Sequence, residues 1–114
     1  MRKSDKKKDN QLRVALTEVC DSAEKEYQGF QWLTHRVNYD DFPKSLRIVC
    51  VFASNKELES FKSSNYFDDL NARIQQKLLG LAINLKRVND HILYDTEEAC
   101  CKGHNGKWAN RLSH

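Results

Sequence analysis

Leu12, Leu16, Val19, Ala23 and Tyr27 recur at steps of four, three, four and four. That spacing lays one apolar stripe along an amphipathic helix, with Arg13, Glu18, Asp21, Glu24 and Lys25 on its wetter sides. With Gly29 as a C-terminal stop, the pattern predicts a first long helix over 9–27. The period then shortens. Phe30 and Trp32 alternate with Gln31, after which Leu33, His35, Val37 and Tyr39 take the opposite parity, as in a strand bulged near Trp32–Leu33. The stretch from Asp40 to Ser45 is turn-like, with Pro43 setting the bend. Leu46 to Ala53 is mostly apolar on both parities and rich in β-branched residues, which predicts a central strand covered on both faces. The two strands pair as an antiparallel hairpin.

Ser54 to Glu57 reads as a capping box opening a short helix through Phe61. Ser63, Ser64 and Asn65 interrupt it. Phe67, Leu70, Ile74, Leu78 and Leu81 mark a second long helix, with Asn65 as its cap and Asp68 and Asp69 at its positive end. Gly80 breaks the pattern. Residues 82–88 are open between strand and helix; the alternation of Ile83, Leu85 and Val88 with polar neighbours favours a strand. Asn89–Asp90 signals a turn and His91 to Glu97 resumes as a strand, making a second hairpin. The expected fold is α+β: a single domain with a four-stranded, mainly antiparallel sheet of two hairpins, packed with two long helices and a short one.

Composition narrows the class. A chain of 114 residues suits one domain and can bury a core without staples. One proline and four glycines leave no room for a collagen-like or Pro-rich linker reading. No apolar run approaches the roughly 20 residues that span a bilayer, and no apolar stretch follows the basic N-terminus as a signal peptide requires. The expected location is therefore the cytoplasm, with the four cysteines as reduced thiols. The net charge of +3 is unevenly spread. Residues 1–10 hold five cations and two acids, 102–114 hold three cations and no acid, and 11–101 carry 11 basic against 14 acidic residues. This predicts a basic flexible arm at 1–9 and a domain at 10–114 that ends in a docked basic tail.

Basic ends around an acidic body are an electrostatic handle on nucleic acid, DNA or RNA. Arg2, Lys3, Lys6, Lys7 and Lys8 would meet phosphates, and Arg36, Lys107, Trp108 and Arg111 would form an aromatic and basic surface that stacks bases. The leading expectation is a non-enzymatic binding protein of this kind, without a cofactor or a membrane partner. One alternative is a metal-dependent nuclease or phosphoesterase built from Asp95, Glu97, His35 and His104, with carboxylates on the ion and a histidine activating water. A metal set of Cys100, Cys101 and His104 is a further alternative, short of a fourth ligand for zinc. A third reading is a structural or protein-interaction module, a homodimer with Trp32 or Trp108 at its interface. No Gly-rich phosphate loop and no Gly-x-Ser-x-Gly elbow occurs. The tail itself reads as a short helix or turn pinned by Trp108 and Leu112.

The strings RKSDKK, LTEVC, GFQWLTH, FPKSLRIVCVF, YDTEE and HNGKW together resemble a group of small uncharacterised proteins of marine gammaproteobacteria, over nearly the whole chain. Some members carry the label of Fis-family transcriptional regulators. The resemblance implies a bacterial cytoplasmic protein with a link to nucleic acid, and it brings no site residue with it.

Overall fold

The structure is a computed structural model that describes residues 2–113; Met1 and His114, the outermost positions of the expected arm and tail, lie outside them. The elements in chain order are α1 (Lys3–Glu26), β1 (Phe30–Arg36), β2 (Arg47–Phe52), α2 (Asn55–Lys62), α3 (Tyr66–Gly80), β3 (Ile92–Thr96), α4 (Glu97–His104) and α5 (Trp108–Leu112). Short 3₁₀ turns occupy Tyr39–Asp41 and Val88–His91. The peptide between Phe42 and Pro43 is cis.

β2 is the middle strand of a three-stranded sheet in the order β1-β2-β3. It pairs antiparallel with β1 and parallel with β3. Its residues from Ile48 to Phe52 are all buried, on both parities. Ile48, Cys50 and Phe52 enter the main core with Leu46, under Leu12, Leu16, Val19 and Ala23 of α1, Phe61 of α2, and Leu70, Ile74 and Leu78 of α3. Val49 and Val51 face the other way. On that second face, Trp32 and Asp95 are the register partners of Val51. A bulge between Phe30 and Trp32 sends two residues that alternation would place on one face to opposite faces. Phe30 packs in the core on Phe52, and Trp32 is left for the second face.

The expected four-stranded sheet of two hairpins is corrected to this three-stranded mixed sheet. The reason lies at the end of α3. Ala82 adopts a left-handed φ of 61°. The Ile83 N–H then reaches the Leu78 carbonyl at 2.9 Å and the Ala82 N–H reaches Leu79 at 2.9 Å. This is a Schellman closure, in which Ile83 folds back on Leu78. Ile83 and Leu85 therefore alternate as plugs in the core rather than as ladder residues; 82–87 is neither strand nor helix, and Val88 opens the second 3₁₀ turn. β3 reaches β2 through the long excursion of α2 and α3, which a parallel pair requires. The helix count is corrected as well: beside α1, α3 and the short α2 stand α4 and the five-residue α5. The flexible arm expected at 1–9 is also revised, because residues 3–9 are the first turns of α1.

Local signals account for most helix starts. Ser54 Oγ accepts from the Glu57 N–H at 3.1 Å, and Thr96 Oγ1 accepts from the Ala99 N–H at 2.9 Å, capping α2 and α4. Asn65 does not cap α3; Ser64 Oγ takes the Tyr66 N–H at 3.2 Å instead. Gly29 turns the chain from α1 into β1 with φ +84°, and a Cβ there would stand 2.6 Å from Glu57. Gly29→Ala is expected to cost about 1–3 kcal/mol in urea unfolding. Ala82→Gly, which relieves a left-handed alanine on the surface, should add about 0.5–1 kcal/mol by the same measurement.

Candidate functional site

Two side-chain clusters sit at opposite ends of the sheet. The first joins the start of α1 to the β1–β2 connection. Asp9 continues the buried stripe of α1 one turn before Leu12. Its Oδ1 lies 2.9 Å from His35 Nε2 and accepts the Tyr39 hydroxyl at 2.9 Å. The His35 ring, and then the Tyr39 hydroxyl, hold the Asp9 carboxyl below the ordinary aspartate range. Burial, and then Asp9 itself, push the Tyr39 hydroxyl upward, so it stays a neutral donor. A hollow of about 790 Å³ opens beside this cluster, walled by Arg36, Asn38, Lys44, Ser45 and Arg47. A neighbouring hollow of about 620 Å³ carries the surface on to Arg2 and Asp5 at the start of α1. Lys3, Lys6, Lys7 and Lys8 are exposed. The Lys8 ammonium stands 4.9 Å from the centroid of Phe42, which in turn stacks on Tyr39.

The second cluster holds the tail. The Glu97 carboxylate takes the Trp32 indole N–H at 2.7 Å on one oxygen and the Trp108 indole N–H at 3.0 Å on the other. The two indoles meet edge to face, 4.9 Å between centroids. One turn on, Arg111 clasps Asp95 with Nε at 2.5 Å and Nη2 at 2.9 Å, a two-point guanidinium–carboxylate pair. That pair raises the Arg111 pKa further. Arg111 Nη1 also lies 3.3 Å from His104 Nδ1 and donates to the Ala99 carbonyl. Lys102 pairs with Glu98.

These positions revise several expectations. The tail expected to be pinned by Trp108 is pinned there, but Arg111 is neutralised by Asp95 rather than turned outward. Trp108 and Arg111 are thus engaged within the domain, by Glu97 and Asp95, while Lys107 is exposed. Asp95, Glu97 and His104 do gather around Arg111. His35 does not join them, because it pairs with Ile48 three ranks along β2 from Val51 and points to Asp9. The nuclease set is therefore not assembled. Cys100 is fully buried and Cys101 is exposed on the same helix, so the two thiols of the proposed metal set point apart. Among the described residues no group of three or more His, Cys, Asp or Glu can hold a metal ion. Trp32 and Trp108, the residues expected at a dimer interface, pack on each other and are half-buried.

Parallel strands often take phosphate at the helix starts beyond their carboxyl ends. Here that crevice, beyond β2 and β3, is closed by the chain itself. The Asn55 N–H at the start of α2 is held by Glu98 Oε1 at 2.9 Å, and the Glu98 N–H by the Ala53 carbonyl at 3.1 Å. That Asn55 N–H, and then Lys102, lower the Glu98 pKa. The run α4–turn–α5 has the connectivity of a helix-turn-helix. Its second helix has only five residues, and its Trp108 and Arg111 are engaged by Glu97 and Asp95 within the domain.

Asp9, Lys44 and Arg47 were missed by the sequence reading. For Asp9 a signal exists: Asp5, Asp9, Leu12 and Leu16 share helical spacing, and a carboxylate on a buried stripe needs a donor. No family model, curated protein or solved structure matches the chain.

Indoles only donate. Glu97→Gln therefore sets an amide NH₂ against one indole N–H, and should lower stability by about 1–3 kcal/mol with a red shift of tryptophan emission. Asp9→Asn should cost about 1 kcal/mol near neutral pH, discounted because Asp9 is a third exposed. The Asp9 carboxyl is depressed in the folded state. Its contribution is thus complete above the ordinary aspartate pKa of about 3.9 and fades as pH falls through the lower folded value. Urea curves of the two proteins should converge below about pH 4 and separate above it.

Proposed function

We infer that this chain is a non-enzymatic binding protein whose partner is a nucleic acid, held by its phosphates at the α1 end of the domain. The observation that carries this reading is the placement of cations. Lys3, Lys6, Lys7 and Lys8 stand exposed on a preformed helix, and Arg36, Lys44 and Arg47 stand across the adjoining hollow. Arg2 bridges the two groups at the next hollow. The Asp9–His35–Tyr39 cluster fixes the helix against the β1–β2 connection and so fixes the two sets of cations relative to one another. A helix that is already formed loses less entropy on binding than a flexible arm would.

Such a surface works by charge. Each ammonium that meets a phosphate releases a condensed counterion, and affinity falls with salt accordingly. Asp40 and Asp41 lie on the connection itself, which leaves α1 as the side that approaches phosphate. Base stacking has little part here: the Tyr39 ring lies against Phe42 and its hydroxyl is tied to Asp9. The surface is suited to backbone contact without base readout.

Fluorescence anisotropy with mixed-sequence duplex DNA and single-stranded RNA checks this at two salt concentrations. The triple change Lys3→Gln, Lys6→Gln, Lys7→Gln is expected to weaken binding at least about tenfold near 50 mM salt and to flatten the salt slope by two to three units, about 0.9 per lost duplex phosphate contact. Lys107→Gln, at the other end of the sheet, should change affinity less than about twofold. Absence of binding at low salt, or equal loss from both variants, overturns the reading.

A further inference from the structure

α1 divides its charge at its own midpoint. Residues 3–13 carry five cations and two acids, and 14–26 carry four acids and one cation, so the halves are +3 and −3. Val14 stands at the divide and is 60% exposed, the most exposed large apolar side chain among the described residues. It borders a groove of about 880 Å³ between α1 and α3, whose walls include Gln11, Ala15, Gln76 and Leu81. At 3.6 residues per turn, Lys3, Lys7, Asn10, Val14, Glu18, Asp21 and Lys25 fall within about 40° of a single line along the outer face. Asp9 lies off that line, turned inward to His35. The outward stripe is thus cationic before Val14, and Glu18 and Asp21 follow it.

We propose that this face is the contact between two copies of the chain, with the two α1 helices antiparallel about a two-fold axis at Val14. Such an interface is self-complementary: each position meets the position equally far on the other side of the axis. Val14 then meets Val14 of the second copy beside the groove. Asn10 meets Glu18, and Lys7 meets Asp21, in both directions. A parallel pair would instead set lysines against lysines and acids against acids. Lys3 and Lys25 form the one like-charged match, and they lie about 16 Å from the axis, where crossing helices have diverged. Glu18 keeps its own intrachain partner, Lys77, across the groove, and its second oxygen is available to Asn10. Two crossing helices cover less than a standard interface, so the dimer is weak and salt-sensitive. Lys6 and Lys8 sit about 80° and 120° around the helix from Val14. They and Arg2 stay outside the contact, whereas Lys3 and Lys7 belong to both surfaces; sedimentation in the absence of nucleic acid tests the dimer separately from the nucleic-acid reading.

Sedimentation equilibrium of the full chain, run to about 1 mM at low salt, tests it. The weight-average mass should rise from one chain toward two with concentration. Val14→Glu, which sets two carboxylates against each other on the axis, should raise the dissociation constant at least about tenfold, with an unchanged melting temperature because Val14 is exposed. Lys7→Glu and Asp21→Lys should each weaken the dimer several-fold, and the two together should restore it to within about twofold. A single-chain mass at every concentration, a dimer indifferent to Val14→Glu, or no recovery in the double reversal overturns the proposal.

Discussion

The structure depends on a middle strand that has no wet face. From Ile48 to Phe52, β2 is buried on both parities, so both sides of the sheet must be roofed. On one side this is done conventionally, by α1, α2 and α3 over Ile48, Cys50 and Phe52. The other side has only the last turns of the chain to draw on. Val51 is covered because Trp32 flanks it on β1, Asp95 flanks it on β3, and the tail reaches both neighbours. Trp108 packs on Trp32 and Arg111 clasps Asp95. The carboxylate of Glu97, shared by two indoles, holds the pair of rings in place. Acids and bases that would suit a catalytic centre are thus the fasteners of a lid over the sheet.

The bulge in β1 makes this possible. Without the extra residue, Trp32 would follow Phe30 into the core and the second face would lose the ring on which Trp108 rests. A single backbone irregularity therefore sets both the composition of the core and the seat of the tail. It also explains why the two tryptophans are half-buried against each other. Their polar edges meet a carboxylate, which satisfies the N–H donors while the rings exclude water.

Much of the local structure was legible in the residues themselves. The stripe of α1, the two-sided burial of β2, the Ser54 cap and the stop at Gly80 all follow from short-range chemistry. What was not legible is long-range. β3 has the alternation of a hairpin strand, and nothing within 83–97 says that its partner is β2, reached across two helices. Ala82 in the left-handed region gives no sequence signal either, since glycine is the residue expected there. The candidate surface divided in the same way. The N-terminal lysines were visible as a charge run, but their fixed helical spacing depends on Asp9 meeting His35 and Tyr39, residues 26 and 30 positions away. Arg111 was read as a free cation because its partner, Asp95, approaches only when the tail folds back.

The uneven charge of the chain consequently has a different meaning at each end. At the C-terminal end, cations answer carboxylates within the domain: Arg111 answers Asp95, and Lys102 answers Glu98. An external polyanion would have to compete with those pairs for Arg111 and Lys102, while Lys107 stays exposed beside them. At the N-terminal end the acid most deeply engaged, Asp9, is bound by neutral or weakly basic donors rather than by lysines. The ammonium groups of Lys3, Lys6 and Lys7 are therefore left to act beyond the domain. Their positive field is carried on a rod whose far half is negative, a charge layout that suits both proposed partners, phosphate and a reversed copy of the chain. Angular position separates the two proposed contacts only in part: the line through Val14, with Lys3 and Lys7 on it, would face a copy, and the flank carrying Arg2 and Lys6 would stay open to phosphate.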